Sequence, residues 1–300
     1  MKIRKVGVAG CGLMGSGIAQ VAAQAGFETT VREVDQALLD KGLHNIDRFL
    51  AKGVERGKIQ AADREKVMGR IRGTTDLAAL ASCDIVIEAI VEDREAKRRF
   101  FTQLDSVCGK ETVFASNTSS LSITDLATST SRPERFLGLH FFNPVPLMPL
   151  LEVVRTLLTD SDIYETALAF GRELGKTPVR ASDKTGFIVN RLLVPYLLDA
   201  VRALAEGIGS ITDIDAGMKL GCGYPMGPFT LLDLVGLDTT ASIAEIFFQE
   251  FREPRYATPS LLRRMVLAGF HGKKSGRGFY DYSGEKPRAN DFLWKPEGRN

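Results

Sequence analysis

The feature that most restricts the fold is the stretch Gly10-Cys11-Gly12-Leu13-Met14-Gly15. It lies between a β-branched apolar run at residues 3 to 9 and a helix-forming run from Ile18 to Ala25 that ends at Gly26. Gly10 permits a tight turn, Gly12 removes a side chain where a pyrophosphate must approach the backbone, and Gly15 lets helix and strand pack closely. The helix N-terminus adds amide donors and partial positive charge, which also draws the backbone of Leu13 and Met14 into the contact. A second apolar run, Glu28 to Arg32, leads into Glu33, eighteen residues after the third glycine. An acid there accepts hydrogen bonds from an adenosine ribose and repels a 2′-phosphate. The pattern points to a dinucleotide, NAD ahead of NADP, with Arg32 the one neighbour that a 2′-phosphate would also suit.

Apolar runs return at Asp84 to Glu88, Thr112 to Ala115, Phe136 to His140, Leu151 to Val154 and Pro178 to Val179, and most are separated by helix-like stretches. This alternation predicts an α/β first domain over residues 1–183, a Rossmann-type doubly wound, mostly parallel sheet covered on both faces. One connection is longer. Residues 36–70 carry apolar positions at Leu38, Leu39, Leu43, Ile46, Phe49, Leu50 and Val54, and read as a projecting helical pair. Two roles stay open for it: an amphipathic pair lying on its own domain, or an arm that touches a ligand.

After Ser182 the apolar residues recur at three and four, so residues 184–300 read as an all-helical second domain. Helices are expected to start near Gly186, Thr212, Gly227, Thr239 and Pro259, with Thr212, Asp213 and Thr258 available as caps. Runs such as Leu192 to Leu198 and Phe229 to Leu234 leave apolar surface for a partner, so a homodimer through this domain is expected. From Gly284 onward the chain is polar and proline-containing and reads as a loose tail.

Composition narrows the class. A chain of 300 residues exceeds what one hydrophobic core usually serves, which agrees with two domains. The 39 basic residues nearly balance 37 acidic ones, so no broad field favours nucleic acid or an anionic membrane as partner. Cys11, Cys83, Cys108 and Cys222 show no CxxC spacing, which speaks against a zinc site or a disulfide framework and for a reducing cytoplasm. The apolar stretch after the basic start is too brief for a signal segment, and no uncharged run reaches the length of a membrane-spanning helix.

Chemistry is expected at His140, at the end of the fifth apolar run, because sheets of this kind bind ligands outside the carboxyl ends of their strands. Glu152 opens the next run after a proline-rich reversal that can bring its carboxylate back to the imidazole, as base and orienting partner. His44 and His271 read as surface residues.

Seven long segments carry a family resemblance: GCGLMGSGIAQ at 10–20, EAIVED at 88–93, ASNTSSLSI at 115–123, GLHFFNPVPLMPLLEVV at 138–154, DKTGFIVNRLL at 183–193, GYPMGPFTLLDLVGLDT at 223–239 and GKKSGRGFYDY at 272–282. Together they resemble the L-3-hydroxyacyl-CoA dehydrogenase family in its short bacterial single-function form. The resemblance implies an oxidoreductase that interconverts short-chain L-3-hydroxyacyl-CoA, such as 3-hydroxybutyryl-CoA, and 3-ketoacyl-CoA, using NAD. It implies that acyl-CoA is held in a cleft between a Rossmann-type domain and a helical dimerisation domain. By matching motifs it implies His140 as catalytic base, Glu152 as its orienting acid, and Ser119 and Asn190 as substrate-positioning residues. It also implies cofactor contacts at Glu33, Glu92, Lys97, Ser119, Asn143 and Lys274, while Lys52, Arg56 and Lys58 of the helical pair are the alternatives for meeting the CoA phosphates. Two other readings remain: a dehydrogenase of a free hydroxy acid such as a sugar acid or carnitine, and a catalytically silent NAD-binding structural protein. The His140–Glu152 pair speaks against the silent one.

Overall fold

A computed structural model describes residues 1–293 of the chain. The chain divides into two units, Met1–Phe187 and a second beginning at Ile188. In the first unit, β1 (Lys5–Ala9), α1 (Leu13–Gln24), β2 (Glu28–Arg32), α2 (Gln36–Glu55), α3 (Ala61–Gly69), β3 (Ile71–Thr74) and β4 (Ile85–Glu88) come first. They are followed by α4 (Arg94–Val107), β5 (Val113–Ser116), α5 (Ile123–Ala127), β6 (Phe136–Phe141), β7 (Leu150–Arg155), α6 (Ser161–Glu173) and β8 (Thr177–Ser182). One eight-stranded sheet results, in the order β3-β2-β1-β4-β5-β6-β7-β8. Its neighbours pair in parallel except β6 with β7, where the chain direction reverses.

The strand order turns back at β1, between β2 and β4, which sets a ligand crevice at the carboxyl ends of those strands. Every residue of β4, β5 and β6 is buried, as expected of strands covered on both faces. β3 escapes the sequence reading because Ile-Arg-Gly-Thr has no apolar run; it is an edge strand held by backbone pairing to β2 from Thr29 opposite Ile71 onward. β8 is longer than the two residues expected, since its ladder with β7 runs from Thr177 to Ser182.

The helical pair lies on its own unit rather than projecting. Leu39, Gly42, Ile46 and Leu50 of α2 are buried, and the three leucine and isoleucine side chains join the core made by α1 and β1. A Cβ at Gly42 would come within 2.3 Å of the Cys11 carbonyl, so this glycine is what allows α2 to lie against the glycine turn. The outer face, including Lys41, His44, Arg48 and Lys52, is exposed.

The second unit is helical: α7 (Val189–Ala205), α8 (Ile211–Cys222), α9 (Pro228–Val235), α10 (Leu237–Phe251) and α11 (Ser260–Leu267). α7 starts later than expected because Gly186 and Phe187 have φ of 82° and 46°, outside the helical region. α8 is capped by Ser210, whose hydroxyl accepts from the Asp213 N–H at 3.1 Å, and not by Thr212 or Asp213, which lie inside the helix that starts at the buried Ile211. α11 follows Pro259 with no side-chain cap, so Thr258 has no capping role. Of the two runs read as spare apolar surface, Leu192 and Leu234 stay exposed, while Val194, Leu197, Leu198, Phe229 and Leu232 fill the core of the unit.

The expected loose tail is partly structured. β9 (Tyr280–Asp281) pairs antiparallel with β10 (Arg288–Ala289), and the Asn290 N–H donates to the Phe279 carbonyl. Backbone pairing asks little of side-chain polarity, and the ring of Phe292 packs edge-on against Phe270. Residues 294–300 of that expected tail lie outside the described residues.

Candidate active site

The glycine turn assigns each glycine a separate task. Gly10 has φ of 95°, and a Cβ there would sit 2.5 Å from the Ala89 carbonyl oxygen; at Gly15 a Cβ would sit 1.9 Å from the Gly10 oxygen. Gly12, the N-cap of α1, has nothing within 4 Å of such a Cβ, so it leaves an open face at a helix N-terminus. Glu33 lies against the turn: one carboxylate oxygen accepts from the Cys11 N–H at 2.8 Å and the other from the Val34 N–H at 2.7 Å. Burial, aided by Glu33, pushes the Cys11 thiol up to about 12, so it stays a small neutral residue. A cavity of ≈ 670 Å³ opens beside the turn, lined by Gly12, Leu13, Met14, Arg32, Glu33 and Val91 among others. An open amide cradle, an adjacent acid and apolar walls fit an adenine dinucleotide.

At the carboxyl ends of β4 and β5 a buried ionic cluster forms. The Lys97 ammonium lies 2.5 Å from Glu88 and 3.2 Å from Glu92, and the Ser116 hydroxyl donates to Glu88 at 2.6 Å. Glu92 also accepts from the Thr118 hydroxyl, the Ser119 N–H and the Ser120 hydroxyl, so it holds the turn that carries Ser119. Burial works against its charge, but Lys97 and these donors hold its carboxyl below the usual carboxylate range. Burial pushes Glu88 the other way, above its ordinary value. Glu88 was not singled out from sequence; its signal was a single acid closing the apolar strand Ile85–Glu88.

His140 and Glu152 face each other across the antiparallel β6–β7 ladder. The imidazole Nδ1 lies 2.6 Å from the Glu152 carboxylate, with His140 6% and Glu152 0% exposed. The rings of Phe142 and Phe187 lie 4.6 and 5.5 Å from the imidazole, centroid to centroid. When Nδ1 carries the proton toward the carboxylate, Nε2 is left as an acceptor.

The other expected residues divide by location. Ser119 is half-buried and Asn143 exposed in the first unit. A second cavity of ≈ 250 Å³ is lined by Ser16, Asn45, Phe49, Lys52, Asn143 and Pro144 among others; Lys52 belongs to it, whereas Arg56 and Lys58, exposed after α2, do not line it. Asn190 sits in the first turn of α7 in the second unit. Lys274, in the same unit, is exposed and pairs with Asp238 at 2.7 Å, with His271 half-buried 3.7 Å from the same carboxylate. Among the described residues no group of three or more His, Cys, Asp or Glu is placed to hold a metal ion, and no helix is long and apolar enough to cross a membrane.

Comparison with known proteins agrees with this layout. The pattern of the 3-hydroxyacyl-CoA dehydrogenase NAD binding domain matches residues 5–184, and that of the C-terminal domain of 3-hydroxyacyl-CoA dehydrogenase matches residues 186–282. The chain belongs to the 3-hydroxyacyl-CoA dehydrogenase family. It is 50% identical over 282 residues to a 3-hydroxybutyryl-CoA dehydrogenase of Mycobacterium tuberculosis, covering 93% of this chain and 99% of that one. It is 45% identical over 287 residues to the mitochondrial hydroxyacyl-coenzyme A dehydrogenase of Homo sapiens, covering 93% and 91%. The crystal structure of (S)-3-hydroxybutyryl-CoA dehydrogenase from Ralstonia eutropha superposes with a TM-score of 0.92 at 42% identity, over 94% of this chain and all of that one. As a 3-hydroxyacyl-CoA dehydrogenase, the chain is an NAD-dependent oxidoreductase acting on a CH–OH group, and the glycine turn lies within the matched NAD-binding segment.

Proposed function

We propose that this dehydrogenase interconverts short-chain L-3-hydroxyacyl-CoA, such as 3-hydroxybutyryl-CoA, and the matching 3-ketoacyl-CoA, with His140 as general acid and base. The observation that carries the reading is the buried 2.6 Å contact between His140 and Glu152. NAD, when bound, supplies the acceptor for the hydride that leaves C3 of the substrate. Neutral His140 takes the hydroxyl proton at Nε2 in the oxidative direction and returns it in reduction. Glu152 fixes the tautomer and stabilises the imidazolium, an electrostatic role like that of the acid in a Ser-His-Asp triad.

The remaining roles follow from the family resemblance. Gly10, Gly12, Leu13, Met14, Gly15 and Glu33 hold the adenosine diphosphate half of the cofactor, and Glu92, Lys97, Ser119, Asn143 and Lys274 the rest. Ser119 and Asn190 orient the substrate. Lys52, which lines the cavity beside α2, meets the CoA phosphates, with Arg56 and Lys58 nearby in sequence. The exposed Leu192, Ile208, Leu220, Leu234 and Leu267 of the second unit support a homodimer through that unit. The free cysteines agree with a cytoplasmic enzyme.

The test is reduction of acetoacetyl-CoA followed by loss of NADH absorbance. His140→Gln is expected to lose on the order of 10² to 10⁴ in turnover, with NADH binding retained. Near-normal turnover of that variant would remove His140 from the mechanism.

A further inference from the structure

The turn joining β6 to β7, residues 142–149, contains Pro144, Pro146 and Pro149, three positions with no N–H to donate. The N–H groups of Leu147 and Met148 both go to the Pro144 carbonyl. The carbonyls of Val145 and Met148 are met instead from a distant part of the chain. Lys176, between α6 and β8, places its ammonium 2.5 Å from the Val145 oxygen and 2.9 Å from the Met148 oxygen.

This lysine is 9% exposed. Burial alone pushes its pKa down, with no neighbouring charge contributing. An ammonium out of water without a counter-ion is costly, and here the two carbonyls are what offset it. Both belong to the turn that walls the cavity beside α2, where Pro144, Val145 and Pro146 face Asn45, Phe49 and Lys52. The turn also rests on α1, which lines the same cavity: a Cβ at Gly17 would lie 2.8 Å from the Val145 Cβ. Lys176 and Gly17 therefore hold the turn between them.

We propose that Lys176 is a positioning residue for acyl-CoA, fixing the proline-rich turn as the wall of the pocket that receives the CoA portion. The proposal rests on the reading of that cavity as the CoA pocket. Lys176 touches neither substrate nor cofactor; it acts through the turn.

The experiment compares acetoacetyl-CoA with S-acetoacetyl-N-acetylcysteamine, a truncated thioester lacking the nucleotide, in wild type and in Lys176→Met, which keeps the apolar stem and removes the donors. The KM for acetoacetyl-CoA is expected to rise about 10- to 100-fold, the scale of a displaced binding wall, with that for the truncated ester changed less than about 2-fold. Lys176→Arg, which keeps charge and donors, is expected to recover part of the loss. A lower thermal midpoint with an unchanged KM for acetoacetyl-CoA would make Lys176 a stability residue and overturn the proposal, as would an equal rise in KM for both esters. Should Lys176→Met fail to fold, Gly17→Ala presses the same turn from α1, and an unchanged KM there overturns it equally. Lys52→Ala tests the assignment of Lys52 by itself: if it leaves the KM for acetoacetyl-CoA unaltered while Lys176→Met raises it, Lys52 is removed as the phosphate partner and the role of Lys176 at the turn stands.

Discussion

Glu152→Gln isolates what the carboxylate contributes, because the substitution preserves shape and removes only the charge. Glu152 is fully buried and its oxygen lies 2.6 Å from the His140 Nδ1. Taking the charge centres as about 4 Å apart in an effective dielectric of about 20, the attraction between carboxylate and imidazolium is about 4 kcal/mol. That attraction exists only when His140 carries the proton, so it is realised as the proton moves and is worth about 10³ in rate. Oxidation of 3-hydroxybutyryl-CoA by Glu152→Gln, the direction in which the ring gains its proton, is therefore expected to slow about 10³-fold in turnover, with the dissociation constant for NADH, read by fluorescence titration, within about 3-fold of wild type. Far-UV circular dichroism confirms that the variant is folded. A folded variant losing less than about 10-fold would refute the reasoning, since the carboxylate would then not be stabilising the protonated ring.

Two further expectations follow from the geometry. Gly12→Ala, where a Cβ meets open space, is expected to raise the KM for NAD by about 10-fold or more at an unchanged thermal midpoint, whereas Gly15→Ala, with its Cβ 1.9 Å from a backbone oxygen, lowers the midpoint by about 4 °C or more. If both variants lose the same property, the separate tasks assigned to the two glycines are wrong. Asp105 accepts from the buried Arg132 at 2.6 Å; burial opposes its charge, but the Ser131 and Arg132 donors outweigh it and hold its pKa below 3.8. A depressed acid stabilises the fold above its unfolded pKa and loses that contribution as pH falls through the folded one. Asp105→Asn should thus cost about 3 kcal/mol at pH 7 and progressively less below pH 3.8, seen as urea midpoints that converge with wild type; a gap constant with pH would contradict the pairing.

The glycine turn, the parallel strands and the histidine at a strand end were legible in sequence because each follows from backbone sterics or periodicity within a few residues. β3 was not, because Ile-Arg-Gly-Thr becomes a strand only through the ladder of β2. The resting place of α2 was likewise hidden: its apolar stripe is visible, but Gly42 against Cys11 is a contact 31 positions apart, beyond any local rule. Motif resemblance singled out Lys97 and Glu92, yet Glu88 read as the end of an apolar strand until Lys97 and Ser116 were brought to it. Lys176 had no local signal at all, since its partners are carbonyls of a turn 28 and 31 residues away.

The β6–β7 reversal has a further consequence. His140 and Glu152 are opposed by strand register, so their separation is a property of the ladder and not of the residues between them. Lengthening or reshaping the turn at 142–149 leaves the two side chains where they are, while a slip of one residue in the pairing would send one of them to the opposite side of the sheet. Recognition of the CoA portion can in this way diverge among descendants of the scaffold by editing a single connection, with the proton-transfer pair inherited unchanged.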